Sequence, residues 1–439
     1  MTICLIIWLL IFSFACWRKL GYGIYLVVFT LPCYLLRFKI FGIPTTVLEL
    51  EIYILFLTWL IKSLKFKIRI LTNWRNRASL SEILGAFKIQ KFSIPIIPIG
   101  FILLGAVLST IFSSDLRTSM GILKGWFFDP LIFAFMVFKT LKTKEQIKNI
   151  LSWLAASGAG VGAIGFFYYF SGNLTFDGRL KVFYLSPNHL AMYLAPCLLT
   201  AYYLLTVSQR KILKFLWLIG TILMSVAVYF SYSYGAWSGI LFASLFLVVT
   251  NFADRRNLSL LKKVFGLAGL IVLTFLLVYF QQDSPKFKNL VESSRSSFYS
   301  RMIVWQVAWE IGKDYPFFGI GPGLFQKFYL DYQRYFPPYL EWAVPQPHNL
   351  FLAFLVQTGI IGFAGFIWLL IWFFRSGFRR ITTRINADIS LVLMSLMVYT
   401  LIHGLVDTTY WKNDLSLVFW LTIALMALTA KLTPNNRSN

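Results

Sequence analysis

The sequence predicts an all-α, polytopic transmembrane protein of about 12–13 spans, and three observations carry that prediction. Of its 439 residues, 58% are hydrophobic and only 13% charged, whereas soluble domains carry about 25% charged residues. Mean hydropathy is +0.70. Many apolar runs also have the length a helix needs to cross a bilayer, roughly 20 residues. They lack the alternation expected of barrel strands.

The runs lie at 2–16, 20–36, 44–61, 92–112, 120–138, 149–170, 189–207, 215–231, 236–251, 264–280, 349–374, 387–403 and 414–430. The net charge of +24 sits mostly in short loops between them. One loop carries Lys62, Lys65, Lys67, Arg69, Arg75, Arg77, Lys88 and Lys91, and another Lys139, Lys142, Lys144 and Lys148. Further basic loops hold Arg210, Lys211 and Lys214; Arg255, Arg256, Lys262 and Lys263; and Arg375, Arg379, Arg380 and Arg384. They alternate with near-neutral loops, as the positive-inside rule requires, so the basic loops are expected in the cytoplasm. Bases spread in this way are a topology signal and speak against a nucleic-acid partner.

Cys4, Cys16, Cys33 and Cys197 all lie in apolar runs without CxxC spacing. They read as small core residues with no disulfide or metal role. The first run lacks a basic start, and Trp17, Arg18 and Lys19 follow it directly, so no cleavable signal peptide is expected.

The other side of the membrane receives 113–119, 171–188, 232–235, 281–348 and 404–413. The expected organisation is a transmembrane region with short loops at 1–280, one large extracytoplasmic loop at 281–348 and a C-terminal transmembrane region at 349–439. In the large loop, Tyr299–Lys313 has helical apolar spacing at Met302, Ile303, Val307 and Ile311. Pro316 ends that pattern, and Gly319, Gly321 and Gly323 signal a turn.

The residues that could do chemistry collect on this outer side. His348, one of three histidines, stands where a span begins after Pro345 and Pro347 and can take a proton near neutral pH; an interfacial polar cap is the plainer alternative. His189 and His403 stand at other outer ends, but no HxxxH or HxxE pairing supports a metal. Arg179 and Arg301 precede Ser186-Pro187-Asn188 and Trp305 respectively. A guanidinium fork suits pyrophosphate oxygens, although a lone arginine also serves as a headgroup anchor. Lys181, Arg117 and Lys124 are weaker members of the same anionic zone. Tyr329, Tyr332 and Trp342 belong to an aromatic-rich stretch, Leu324–Trp342, that fits sugar stacking and an interfacial belt equally well. Asp283, Glu292, Glu310, Asp314, Asp331 and Glu341 form no glycosidase-like pair by spacing.

Three blocks carry a family resemblance: GRLKVFYLSPNHLAMYL, SYSYGAWSG, and the Arg301–Gly362 stretch with its Arg-xxx-Trp, Gly-Ile-Gly-Pro-Gly, His-Asn-Leu and Gly-Ile-Ile-Gly elements. Together with HGLVD near the C-terminus, they resemble the O-antigen ligase/polymerase family of bacterial membrane glycosyltransferases over roughly 120–425. One departure is Tyr234, where family members often have Arg.

The resemblance implies a GT-C-like fold and a metal-independent glycosyltransferase without a cofactor, in the cytoplasmic membrane with its site facing outside. The implied donor is a polyprenyl-pyrophosphate-linked oligosaccharide, and the acceptor hydroxyl belongs to a glycan, lipid or protein. Arg179 and Arg301 would hold the pyrophosphate, and His348 would take or orient the acceptor proton. Lys181, Asn188, Tyr234, Tyr329, Tyr332 and Trp342 would contact substrate, and membrane lipids surround the spans.

Ligase, polymerase and protein O-oligosaccharyltransferase branches remain open, since acceptor specificity lies in variable loops. A transporter or flippase of lipid-linked glycan would need charges lining a path through the spans. Only Glu49, Glu51 and Asp129 are deeply placed. A membrane scaffold would not need Arg179, Arg301 and His348 on one side.

Overall fold

The computed structural model describes residues 2–40, 42–74, 94–253, 279–280, 282, 287–288, 297–338 and 343–432. The chain folds as an all-α membrane protein. In order, α1 is Thr2–Arg18, α2 Leu20–Phe29, α3 Val47–Trp74, α4 Ile96–Ile111, α5 Leu116–Thr140, α6 Lys144–Phe170 and α7 Pro187–Val207. Then come α8 Lys211–Phe230, α9 Tyr234–Ala253, α10 Ser297–Asp314, α11 Phe325–Tyr332, α12 Leu350–Thr383, α13 Ala387–Gly404 and α14 Asn413–Lys431.

Seven of these, α5 to α8 and α12 to α14, are long and apolar enough to cross a membrane, and α1, α2, α4 and α9 are shorter apolar helices. Every apolar run expected from the sequence falls on a described helix except 264–280, of which 264–278 lies outside the described residues. Two boundaries differ. The run at 20–36 breaks after Phe29, and Pro32 sits in a separate 3₁₀ turn, Leu31–Leu35, because proline lacks the N–H a helix interior needs. The start at 44 is instead a strand. β1, Arg37–Ile40, pairs antiparallel with β2, Ile43–Thr46, across Gly42 at φ 80°. Ile43, Thr45 and Thr46 are β-branched and favour that geometry.

The ends of the bundle are segregated. At one end Lys62 donates to Cys16 O at 3.2 Å, Lys144 pairs with Asp388 at 2.8 Å, and Asn386 donates to Thr429 O at 3.2 Å. The described basic loops meet there. At the other end Lys124 pairs with Glu49 at 2.7 Å and Lys327 donates to Ser114 Oγ at 3.1 Å.

The large loop builds its own small core. Val304, Val307, Ala308, Ile311, Ile320, Phe325, Tyr329 and Val344 pack together with Val356 of α12. Helix α10 supplies four of these at helical spacing, and Pro316 lies just beyond its last residue, Asp314.

The glycine-rich turn then clamps the loop to the bundle. Gly319 has φ 71°, and a Cβ there would stand 2.5 Å from Val356 O. Gly359, inside α12, has φ 64° and ψ −176° and breaks the helical path; its own Cβ would strike Phe317 O. The close approach permits Ile320 N–H to donate to Val356 O and Ile360 N–H to Pro316 O, both at 2.9 Å. Ser109 of α4 adds a third strand to the clamp. It donates to Gln357 O at 2.7 Å and accepts from Gly321 N–H at 2.9 Å. The loop is thereby fixed against the helix that begins just after His348.

Candidate functional site

The site is assembled from the starts of α7 and α12, from α10, and from the loops before α7 and after α13. At α7, Ser186 is the N-cap and its Oγ accepts from His189 N–H at 3.2 Å, with Pro187 at the first helical position. Proline there loses nothing, because the first N–H groups of a helix have no internal acceptor. This fixes Asn188 at the helix mouth. At α12, Asn349 is the N-cap and its Oδ1 accepts from Phe351 and Leu352 N–H, each at 3.0 Å. Its Nδ2 donates to Leu405 O at 3.0 Å, which ties the α13–α14 loop to the same place. His348 precedes this cap with φ 47°, a conformation that costs a non-glycine residue about 1–2 kcal/mol.

Asp407, in the α13–α14 loop, is the hub. Its Oδ1 accepts from His348 Nδ1 at 3.1 Å, and its Oδ2 accepts from Asn188 Nδ2 at 3.1 Å. The Arg301 guanidinium stands 3.7 Å from the same Oδ2. Asn188 in turn accepts from Arg179 Nη2 at 2.6 Å through its own Oδ1. His348, Arg301 and Arg179 are therefore brought together around Asp407, with Asn188 as the link between Arg179 and that carboxylate.

Arg179 is held mainly by backbone. Its Nε donates to Ser231 O at 2.7 Å, and Nη2 reaches Tyr232 O at 3.5 Å. Tyr232 has φ 49°, so the Ser-Tyr-Ser-Tyr turn before α9 aims its carbonyls at the arginine. The Arg301-xxx-Trp305 spacing has a similar explanation. One turn apart on α10, Arg301 faces Asp407 and Trp305 Nε1 donates to His348 O at 3.1 Å. A single helix face addresses both members of the His–Asp pair.

Asp407 is 3% exposed. Burial alone would raise its pKa, but the His348 charge and hydrogen bond and the Arg301 charge more than offset this and hold the carboxyl well below the usual carboxylate range. An ionised Asp407 accepts the proton on His348 Nδ1, so in the neutral ring Nε2 is the lone-pair nitrogen. Nε2 has no protein partner among the described residues, and the His348 side chain is 25% exposed. The arrangement can therefore orient the imidazole with Nε2 outward, beside two fixed guanidinium groups.

The remaining expected residues are placed differently. Lys181 is half-buried nearby in sequence; its carbonyl accepts from Tyr184 N–H at 3.0 Å, and its side chain makes no hydrogen bond or ion pair among the described residues. Tyr234 is half-buried, packs edge-on to Trp237 with ring centroids 5.3 Å apart, and interacts electrostatically with Arg179. Tyr332 is spoken for by Asp314, to which its hydroxyl donates. Tyr329 is a correction. It is 2% exposed inside the loop's own core, because its side of α11 packs on α10, so it offers no face to a sugar. Trp342 lies outside the described residues.

The other histidines have separate partners. His403 accepts from or donates to Tyr399 at 2.8 Å. His189 Nε2 faces Asp414 and Tyr34, each at 3.2 Å. Among the described residues no group of three or more His, Cys, Asp and Glu could hold a metal ion. The three intramembrane carboxylates serve helix packing. Glu51 accepts from Trp8 of α1 and from Thr30, both at 2.6 Å; Asp129 accepts from Tyr53 of α3 at 2.8 Å; Glu49 pairs with Lys124.

Asp407 is the functional residue that sequence reasoning passed over. Its signal was HGLVD, a carboxylate in a short outer loop, overshadowed by the histidine at the motif's start. No curated protein matches the chain. Residues 219–367 match the family model described as O-antigen ligase; the matched span includes Tyr234, Arg301 and His348 and leaves out Arg179, Asn188 and Asp407. That match supports assigning this all-α membrane chain to the O-antigen ligase/polymerase family, and with it an O-antigen ligase/polymerase-type function in general.

Proposed function

We propose that the chain is a glycosyltransferase that moves glycan from a polyprenyl-pyrophosphate-linked donor to an acceptor hydroxyl, at the outer face of the cytoplasmic membrane. The observation that carries this reading is the bridge at Asp407, whose two oxygens join the His348 imidazole to both arginines. A base and a diphosphate cradle share one anchor.

In the reaction the acceptor oxygen attacks the anomeric carbon of the donor. Its proton passes to His348 Nε2 as the new C–O bond forms. The bond between that carbon and the diphosphate oxygen breaks, and polyprenyl pyrophosphate leaves with the electron pair. One displacement inverts the anomeric centre. Arg179 and Arg301 stabilise the charge that grows on the leaving diphosphate, and they are already fixed by backbone carbonyls and by Asp407, so little reorganisation is needed. Asn188, which bridges Arg179 to Asp407, and Tyr234, within electrostatic reach of Arg179, are the expected substrate contacts best placed beside this space. The chemistry asks for no metal, because a diphosphate leaves readily once its charge is met.

The test is transfer by the purified protein in lipid, supplied with a polyprenyl-pyrophosphate oligosaccharide and candidate glycan, lipid and peptide acceptors. Turnover insensitive to chelator and dependent on His348 is expected. Absence of transfer and of donor binding would overturn the reading. The alternative of a lipid-linked glycan transporter gains no support from Glu49, Glu51 and Asp129, each of which is engaged by a neighbouring side chain.

A further inference from the structure

The turn between α10 and α11 presents an apolar surface that the site does not use. It reads Tyr315-Pro316-Phe317-Phe318-Gly319. Phe317 is 66% exposed, and Phe318 is exposed as well. A single exposed apolar side chain is ordinary, but these two belong to a contiguous patch. Phe318 stacks on Phe112 at the end of α4, with ring centroids 4.5 Å apart and planes 21° from parallel. Ile111 and Phe112 are each 61% exposed. On the other side of the turn, Ile360 N–H donates to Pro316 O at 2.9 Å, and the Ile360 side chain is exposed.

A contiguous exposed apolar patch marks a place where apolar matter is met. The neighbouring helices say which. α4 runs antiparallel to α12: Ser109 donates to Gln357 O at 2.7 Å, and a Cβ on Gly105 would stand 2.3 Å from Gly362 N. α12 is long and apolar enough to cross a membrane. Farther along the same pair, Phe101 and Trp368, both exposed, meet with ring centroids 5.9 Å apart. The patch at the turn is the end of a strip whose remainder faces lipid.

Length gives a second reason. α4 has 16 residues, about 24 Å of helix, which is less than the roughly 30 Å hydrocarbon core of a bilayer. Phe112 and the two loop phenylalanines continue its apolar surface at the short end. Polar groups follow at once. Lys327 donates to Ser114 Oγ at 3.1 Å, and Asp115 caps the next helix through Thr118 N–H at 3.1 Å. Aromatic rings with an ammonium just beyond them are the order of groups across a membrane interface.

The backbone of the turn also suits lipid, where an unpaired polar group is costly. Pro316 has no N–H, its carbonyl accepts from Ile360, and Gly319 N–H donates to Tyr315 O at 3.1 Å.

We propose that the turn is a membrane anchor: Phe317 and Phe318 insert among the acyl chains of the leaflet at the site's end of the bundle, beside Ile111, Phe112 and Ile360. The large loop is then not wholly outside the bilayer. Arg301 lies about 20 Å along α10 from Asp314, so an anchored turn sets the depth at which α10 presents it. The inference concerns lipid contact alone and holds whether or not the donor reading does.

The experiment measures depth. Spin labels are placed at F317C, L104C and N173C in a chain whose four native cysteines are replaced by alanine, in nanodiscs of phosphatidylethanolamine and phosphatidylglycerol. Leu104 is an exposed residue of α4 and Asn173 an exposed residue of the polar loop after α6, so they report lipid and water. Oxygen concentrates in hydrocarbon, and a nickel chelate stays in water. The F317C label is expected to relax more with oxygen than with nickel, as L104C does, with the order reversed at N173C. An F317C label that follows N173C places the turn in water, and the inference falls. A label shielded from both reagents means that protein covers the turn, another segment or a second copy, and the inference falls again. If the cysteine-free chain does not fold, p-benzoylphenylalanine in place of Phe317 in the otherwise native chain decides the matter. Irradiation should then give adducts with the mass of a phospholipid. Absence of lipid adducts, or cross-linked dimers in their place, would overturn the anchor.

Discussion

Replacing Asp407 by Asn probes the site at its centre. The side chain keeps its shape but exchanges one acceptor oxygen for a donor NH₂. Asp407 Oδ1 accepts from His348 Nδ1 at 3.1 Å and from Thr408 N–H at 2.9 Å. Oδ2 accepts from Asn188 at 3.1 Å and faces Arg301 at 3.7 Å. In one amide orientation the NH₂ confronts Asn188 and Arg301; in the other it confronts His348 and the Thr408 N–H. Either way two donors lose their acceptor. Breaking a buried charge pair by changing one partner costs about 3–5 kcal/mol; the 17% exposure of Arg301 and the retained volume place D407N toward the lower figure. Loss of the oriented base should lower turnover by about 10²- to 10⁴-fold. Glycan transfer and thermal unfolding on the same preparation measure both effects. The pH dependence follows from the sign of the shift. The folded carboxyl sits well below its ordinary pKa, so its stabilisation is fully present above the unfolded value of about 4 and is lost only as pH falls below that. The difference in unfolding temperature between wild type and D407N should thus stay constant from about pH 8 to about pH 5. A folded D407N protein with wild-type turnover, or a difference that vanishes by about pH 5, would refute the assignment of Asp407 as an ionised anchor.

Other substitutions separate base, cradle and scaffold. H348A should lose about 10²- to 10⁴-fold in transfer while donor binding, measured with labelled lipid, survives. R301K should lose much of the activity at normal expression, since an ammonium cannot copy the guanidinium fork; R301A with wild-type turnover would reduce this residue to a loop anchor. G359A touches no polar site group, yet strain of about 1–2 kcal/mol at positive φ plus a clash with Phe317 O should lower the unfolding temperature and activity together. For orientation, a cysteine at Asn173 should label from outside intact cells and one at Lys211 should not; the reverse pattern would place the site in the cytoplasm.

What could be read from the sequence tracks the range of the forces involved. Spans are set by local composition, and Arg301-xxx-Trp305 and Ser186-Pro187-Asn188 are local patterns whose helical placement follows from spacing and capping. The extra strand pair at Arg37–Thr46 was missed because a short β-branched stretch next to an apolar run looks like the start of that run. Tyr329 was misjudged because an aromatic-rich loop has no sequence mark that separates its core from its surface; only the packing of α11 on α10 decides it. Asp407 was missed for a related reason. Its meaning depends on partners at Asn188, Arg301 and His348, each separated by a long stretch of chain, and no spacing rule encodes such a contact.

The same long-range contacts explain why so much of the large loop is spent on glycine and proline. A base and a diphosphate cradle must keep fixed distances, because electrostatic stabilisation is effective only when the groups are oriented before charge develops. Arg179 comes from the loop before α7, Arg301 from α10, His348 from the start of α12 and Asp407 from the loop after α13. Four separate segments could drift independently. The Gly319–Gly359 approach prevents this for the large loop by locking it to α12 through two backbone hydrogen bonds at 2.9 Å. Asn349 does so for the α13–α14 loop through Leu405 O, and the Ser231 carbonyl does so for Arg179. Backbone acceptors thus fix each segment, and His348 Nε2 stays open toward substrate. On this view the Gly-Ile-Gly-Pro-Gly and Gly-Ile-Ile-Gly elements belong to the site as much as His348 does, although no atom of theirs takes part in the chemistry.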